Sequence, residues 1–133
     1  MHRAVISVTS DRREQIIDVT GRLRELARSH PECLLMALFS KGATSAVMIQ
    51  ENWDPEIRVD ILDCLSQLAP KGAWRHDRID GNADAHIKSG IVGPSETVPL
   101  QNGELVLGQW QNVFFCDFDG PRSNRELIVT LYP

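Results

Sequence analysis

The sequence predicts an α+β fold, a two-layer α/β sandwich in which a mixed, mostly antiparallel sheet carries two main helices on one side. Three observations lead there. Helical periodicity is confined to two segments of the first half. Asn102-Gly103 separates two β-prone runs, 97–100 and 104–107, which is the hairpin signature of a two-residue primed turn. Residues 111–118 and 126–132 read as two further strands around the loop 120–124, so the second half is a meander of strands that needs helices to cover it.

Taken in order, residues 4–8 mix apolar and small side chains as a half-buried strand does. Asp18-Val19-Thr20 offers capping side chains ahead of a helix over 21–30 that turns Leu23, Leu26 and Ala27 inward and stops at Pro31. The wholly apolar run 33–39 suits a strand buried on both faces, and 46–49 a second one after the turn at Lys41-Gly42. Asp54-Pro55-Glu56 joins an N-cap, a proline at the first helical position and an acidic first turn. Ile57, Ile61, Leu65 and Leu68 then recur at helical spacing as a core stripe, ended by Pro70-Lys71-Gly72.

The 133 residues suit one domain, 1–133, with a real core and little room for a second. A net charge of −4, with both signs mixed along the chain, provides no basic field and argues against a nucleic-acid partner. No apolar run is long enough for a membrane span, and no basic region leads into a signal core, so a cytoplasmic protein with no membrane partner is expected. Cys33, Cys64 and Cys116 are odd in number and widely spaced, and read as buried free thiols.

The chemistry concentrates in the segment 81–95. Asn82, Asp84 and His86 alternate with Ala83 and Ala85, and on an extended strand this period of two sends all three polar side chains to one face. His86 leads the candidates, because a neutral imidazole binds metals and carries protons near neutral pH. His76 is a candidate second ligand, and two histidines with a carboxylate suit zinc or another transition metal, although the spacing from 76 to 86 matches no short metal motif. Glu51 ends an apolar strand, where a carboxylate meets ligands at a sheet edge. Trp110 and Gln111 offer an aromatic plane and an amide for a flat heterocycle, and Lys88 and Arg122 offer cations for phosphate. Each has a bland counterpart: a histidine beside an aspartate is often a structural pair, a strand tryptophan is often core, and a surface arginine is often in an ion pair. No dinucleotide fingerprint, P-loop, zinc-finger spacing or nucleophile elbow occurs.

The run 82–95, then Leu107-Gly108-Gln109-Trp110-Gln111, then residues 117–122, together with Asp18-Val19-Thr20, the stretch 49–54 and Leu68-Ala69-Pro70, resembles the YjbQ-like family, also called secondary thiamine-phosphate synthase. The similarity spans nearly the whole chain in order. One departure stands out: many members carry His-Thr-Thr or His-Thr-Ser where this chain has Gly42-Ala43-Thr44, so the imidazole of that position is missing.

The resemblance implies a homotrimeric α/β sandwich that joins a pyrimidine diphosphate to a thiazole phosphate with loss of pyrophosphate. Such a reaction calls for a divalent cation, magnesium or zinc, with Glu51, Asp84 and His86 as catalytic groups and Asn82, Lys88, Trp110, Gln111 and Arg122 around the small-molecule ligand. Two alternatives stay open on the residues: a metal-dependent hydrolase or lyase of another small phosphorylated or heterocyclic compound, with His76 and His86 as ligands and Glu51 as base, and a non-enzymatic trimeric ligand-binding protein.

Overall fold

The structure is a computed structural model that describes residues 1–133. Its α+β architecture agrees with the sequence, with two sheets in place of one and every strand pair antiparallel. The strands are β1 (His2–Val8), β2 (Gln15–Asp18), β3 (Leu35–Ser40), β4 (Ser45–Glu51), β5 (Ser95–Gln101), β6 (Glu104–Leu105), β7 (Gln111–Asp117) and β8 (Arg125–Tyr132). The helices are α1 (Thr20–Ser29), α2 (Glu56–Leu68) and α3 (Ala83–Val92), with a short 3-10 turn over Arg75–Arg78. The larger sheet runs β1-β8-β3-β5-β6 and the smaller β2-β7-β4.

The larger sheet is one-sided, as its alternation requires. Ile6, Val8, Met36, Leu38, Val98, Leu100, Leu127, Val129 and Leu131 point inward to a main core shared with Val47, Val113 and Phe115 of the smaller sheet and with Leu23 and Ala27 of α1. The smaller sheet is buried on both faces. Its outer side, through Ile16, Ala46, Phe114 and Cys116, packs under Leu65 of α2 and Ala85 of α3. The Asn102-Gly103 turn has φ of 52° and 78°, the left-handed pair that a primed hairpin demands. It also lies against α1, since a β-carbon on Gly103 would come within 3.4 Å of Ala27 O and Arg28 Cα.

Four expectations are corrected. The apolar run 33–39 is not buried on both faces: β3 turns Met36 and Leu38 inward, while Leu35 is 38 % and Phe39 50 % exposed on the outer side of the larger sheet. The segment from Ala83 to Val92 is a helix, not a strand, so a two-residue step turns side chains by about 200° and Asp84 and His86 cannot share a face. Leu68 is 62 % exposed whereas Ala69, one helical turn after Leu65, is fully buried, so the inward stripe passes from Leu65 to Ala69 and Leu68 lies off it. Cys64, on the open side of α2, is exposed, while Cys33 and Cys116 are the buried thiols.

Candidate functional site

Five segments converge at one end of the smaller sheet. They are the stretch 10–14 after β1, the start of β4, the end of β7 with the loop 117–122, the 3-10 turn, and the first turns of α3. The first and third are locked together by backbone: Ser10 N–H donates to Arg122 O at 2.8 Å and Gly120 N–H to Arg13 O at 2.8 Å. Gly120 is required there, because any β-carbon would collide with Arg12 O and crowd Ser10 Oγ.

The deepest part is a charge cluster about Asp84, which is fully buried. Arg13 grips its carboxylate bidentately, at 3.1 and 2.9 Å, and Lys88 Nζ donates to Oδ2 at 3.1 Å from one helical turn away. Lys88, 1 % exposed, also donates to Glu14 Oε2 at 3.1 Å and Ser66 Oγ at 3.3 Å, so all three of its protons are engaged within the protein. Burial alone would push the Asp84 carboxyl up, but the hydrogen bonds from Arg13 and Lys88 outweigh it and hold the group below its ordinary value. Two cations face two carboxylates, and the cluster is internally neutral. Asp84 and Lys88 are thereby fixed inside the fold, away from solvent.

A second buried pair stands beside it. Arg125 donates to both Asp117 oxygens, at 3.2 and 2.8 Å, and to Thr44 Oγ1 at 2.8 Å, while Ser10 Oγ donates to Asp117 Oδ2 at 2.7 Å. Burial raises the Asp117 carboxyl, and the bonds from Arg125 and Ser10 more than reverse the shift. A β-carbon added at Gly42 would lie 2.9 Å from Ser45 Oγ and 3.3 Å from Arg125 Nη1, so Ser45 and Arg125 crowd this position.

Above these pairs lies the accessible part. Asn82, at the N-terminus of α3, donates from Nδ2 to Asp119 Oδ2 at 2.9 Å, and the same oxygen receives Arg122 Nη2 at 3.0 Å. Arg122 Nε is held by Asp119 O at 3.0 Å, which aims a half-exposed guanidinium along the loop. Asn82 Oδ1 is buried with no hydrogen-bond partner, and swapping the amide would only set oxygen against the Asp119 carboxylate. The helix is capped by Asp77 instead, whose Oδ1 accepts from Ala83 N–H at 3.0 Å. That contact brings the 3-10 turn against α3 and sets the His76 and His86 rings edge to face, centroids 5.0 Å apart. His76 Nε2 is also 3.7 Å from Asp80 Oδ2.

The structure thus sorts the expected residues at this end into three groups, Asp84 with Lys88 in the interior, Asn82 with Arg122 on Asp119, and His86 with His76 on another face of α3, and leaves out three expected members. In the β4–β7 ladder Ser45 pairs with Asp117 at the site end and Glu51 with Gln111 at the other, six residues and about 20 Å along the strands. Glu51, Trp110 and Gln111 therefore lie away from the imidazoles within one chain. Gln111 Oε1 accepts from Gly108 N–H at 2.8 Å as a turn brace, and Trp110 meets Trp53, itself 73 % exposed, edge-on at 5.7 Å. Sequence reasoning missed Ser10, Arg13, Glu14 and Asp117. Asp117 and Asp119 flank Phe118 at a strand end, a visible carboxylate pair, whereas nothing local marks Arg13 as the partner of a residue 71 positions later.

Comparison with known proteins places this arrangement in context. A family model described as "UPF0047 protein YjbQ-like" matches residues 4–133. The chain is 37 % identical over 125 residues to a UPF0047 protein of Methanocaldococcus jannaschii, covering 93 % of this chain and 89 % of that protein. It is 34 % identical over 122 residues to the UPF0047 protein YugU of Bacillus subtilis, covering 89 % and 90 %. Among solved structures, a hypothetical protein from Aeropyrum pernix K1 superposes with a TM-score of 0.91 at 33 % identity, over 98 % of each chain. A YbjQ-like protein of unknown function from Sulfolobus solfataricus P2 gives 0.93 at 28 % identity, over 98 % and 95 %.

Proposed function

The chain belongs to the YjbQ-like UPF0047 family, and from that premise we propose that it is a small-molecule enzyme resembling thiamine-phosphate synthase, joining a pyrimidine diphosphate to a thiazole phosphate. The observation that carries this reading is the unpaired, buried Oδ1 of Asn82 beside an aimed, half-exposed Arg122. A buried acceptor left unmade costs about 1–3 kcal/mol, and an N–H or hydroxyl of a bound heterocycle would recover it. Arg122 would hold phosphate oxygens from the same loop.

In the reaction the thiazole nitrogen attacks the pyrimidine methylene carbon, the C–O bond breaks, and its electron pair leaves with pyrophosphate. A divalent cation, when bound, would supply charge neutralisation for that leaving group. His76 and His86 suit a zinc-like ion in donor type, but no third protein donor completes a set with them, so solvent or substrate oxygen would supply the rest. Magnesium, which prefers oxygen, would ride on the diphosphate itself. Asp84 and Lys88 act by holding the first turns of α3 rigid. With glycine at 42 and Arg125 crowding it, any imidazole chemistry rests on His76 and His86.

A metal-dependent hydrolase or lyase is the second reading, favoured by the His76–His86 pair. Glu51 would then have to enter from another subunit. Assembly as a homotrimer is part of the proposal: the outer face of the larger sheet leaves Val5, Leu35, Phe39 and Tyr132 between 38 and 57 % exposed, an apolar surface that further copies would cover. A non-enzymatic trimeric ligand-binding protein is the outcome if no turnover occurs. A cytoplasmic location is part of the same proposal; no helix is long and apolar enough to cross a membrane. The test is incubation of purified protein with both phosphorylated rings and magnesium or zinc. Thiamine phosphate and pyrophosphate should appear in equal amounts, and neither should form with His86→Ala or Arg122→Gln.

A further inference from the structure

A second cluster of metal-ligand type lies apart from this site, where the start of β1 meets the turn between α1 and β3. His30 ends α1, and Cys33 N–H donates back to His30 O at 3.0 Å, folding the turn so that Glu32 and His30 point to the same side. His2 comes from the sheet edge, 30 residues from Glu32. Its ring stacks on that of His30 with centroids 3.7 Å apart and planes inclined by 22°. One carboxylate oxygen, Glu32 Oε1, lies 3.1 Å from His2 Nε2 and 3.6 Å from His30 Nδ1. All three donor atoms fall within 4.8 Å of one another.

We propose that His2, His30 and Glu32 form a binding site for a zinc-class transition ion. A tetrahedral ion with bonds of about 2.0–2.2 Å sets its ligand atoms about 3.3–3.5 Å apart, and the two measured nitrogen-to-oxygen distances bracket that edge. The rings as stacked hold their in-plane lone pairs nearly parallel, so binding an ion through both nitrogens requires the two partly exposed side chains to turn out of the stack until those lone pairs converge. Without an ion, Glu32 Oε1 binds both rings only if each turns an N–H toward it; one cation replaces both protons and takes a lone pair from all three groups. Two imidazoles and a carboxylate select zinc, cobalt, nickel or copper over magnesium and calcium, which prefer all-oxygen shells. The fourth position opens to solvent. The ion would tie the edge strand β1 to the α1–β3 turn, on residues the proposed reaction does not use.

The test uses the full chain without an affinity tag and with His76→Ala and His86→Ala in place, so that only this cluster is read. Equilibrium dialysis against zinc should give one ion per chain, and cobalt should give the intense visible absorption of a tetrahedral site. Adding His30→Gln or Glu32→Gln should remove that equivalent and the absorption while the circular dichroism stays unchanged. His2→Ala provides a separate check from the other side of the site. The proposal is overturned if the background protein binds no zinc, or if zinc stoichiometry survives both His30→Gln and His2→Ala.

Discussion

At the scale of single residues, the two halves of the segment 82–88 have different duties. Asp84 and Lys88 are interior charges whose partners are all protein atoms, whereas Asn82 and His86 keep capacity to spare. Replacing Asp84 by alanine leaves Arg13 and Lys88 without their shared counter-ion, and breaking a buried pair this way costs about 3–5 kcal/mol. Urea denaturation should show that loss, with Lys88→Met costing less because Arg13 still pairs the carboxylate. The same carboxylates set an acid limit. Asp84 and Asp117 are held below their ordinary 3.8 in the fold, so their contribution is fully present above that pH and is lost as pH falls through the lower folded values. Stability measured against pH should therefore drop below about 3.8, and Asp84→Asn should flatten part of that drop. A profile unchanged by Asp84→Asn would mean that the ion pairs contribute nothing net.

At the scale of elements, residues 83–92 form a helix where their alternation predicts a strand, and the cause is specific. Alternation of Asn82, Asp84 and His86 between alanines looks like a strand period, but alanine is the best helix former, Asp84 sits in the positive first turn, and Asp84 to Lys88 is an i,i+4 ion pair. Three local signals for helix outweigh one periodicity. Strand β2 went unread because four residues carry too little pattern, and its place is fixed by pairing with β7, about a hundred residues away. The primed hairpin and the start of α2 were legible because their determinants are local: Asp54 Oδ1 does accept from Glu56 N–H at 3.0 Å. The apolar run 33–39 was legible as a strand, but its apolar outer residues, Leu35 and Phe39, concealed that only one face is buried. Helix α2 also offers a paired test. Leu65 packs against the smaller sheet and Leu68 faces out, so Leu65→Ala should destabilise by about 2–5 kcal/mol and Leu68→Ala by no more than about 0.5 kcal/mol. Equal shifts in melting temperature would place the stripe wrongly.

At the scale of the molecule, the sequence revealed the α+β class and the family, while the division into two sheets followed only from long-range pairing. The site list was half legible for the same reason: residues close in sequence stayed close, but Glu51, Trp110 and Gln111 were assigned to His86 without knowledge that β4 and β7 carry them to the opposite end. The open face of the larger sheet gives the assembly prediction. Sedimentation should report a trimer, and Phe39→Glu, which sets a charge in the middle of that face, should shift it toward monomer; a wild-type monomer at micromolar concentration would end this reading.

The central claim, that the α3 N-terminus with Arg122 and the histidine pair binds a phosphorylated heterocycle, is tested most directly by calorimetric titration of a pyrimidine diphosphate into three folded proteins in the presence of magnesium. The wild type should bind, Arg122→Gln and Asn82→Ala should each weaken binding at least tenfold, and both variants should keep the wild-type circular dichroism and oligomeric state. Wild-type affinity in both variants, with their folds intact, would contradict the claim.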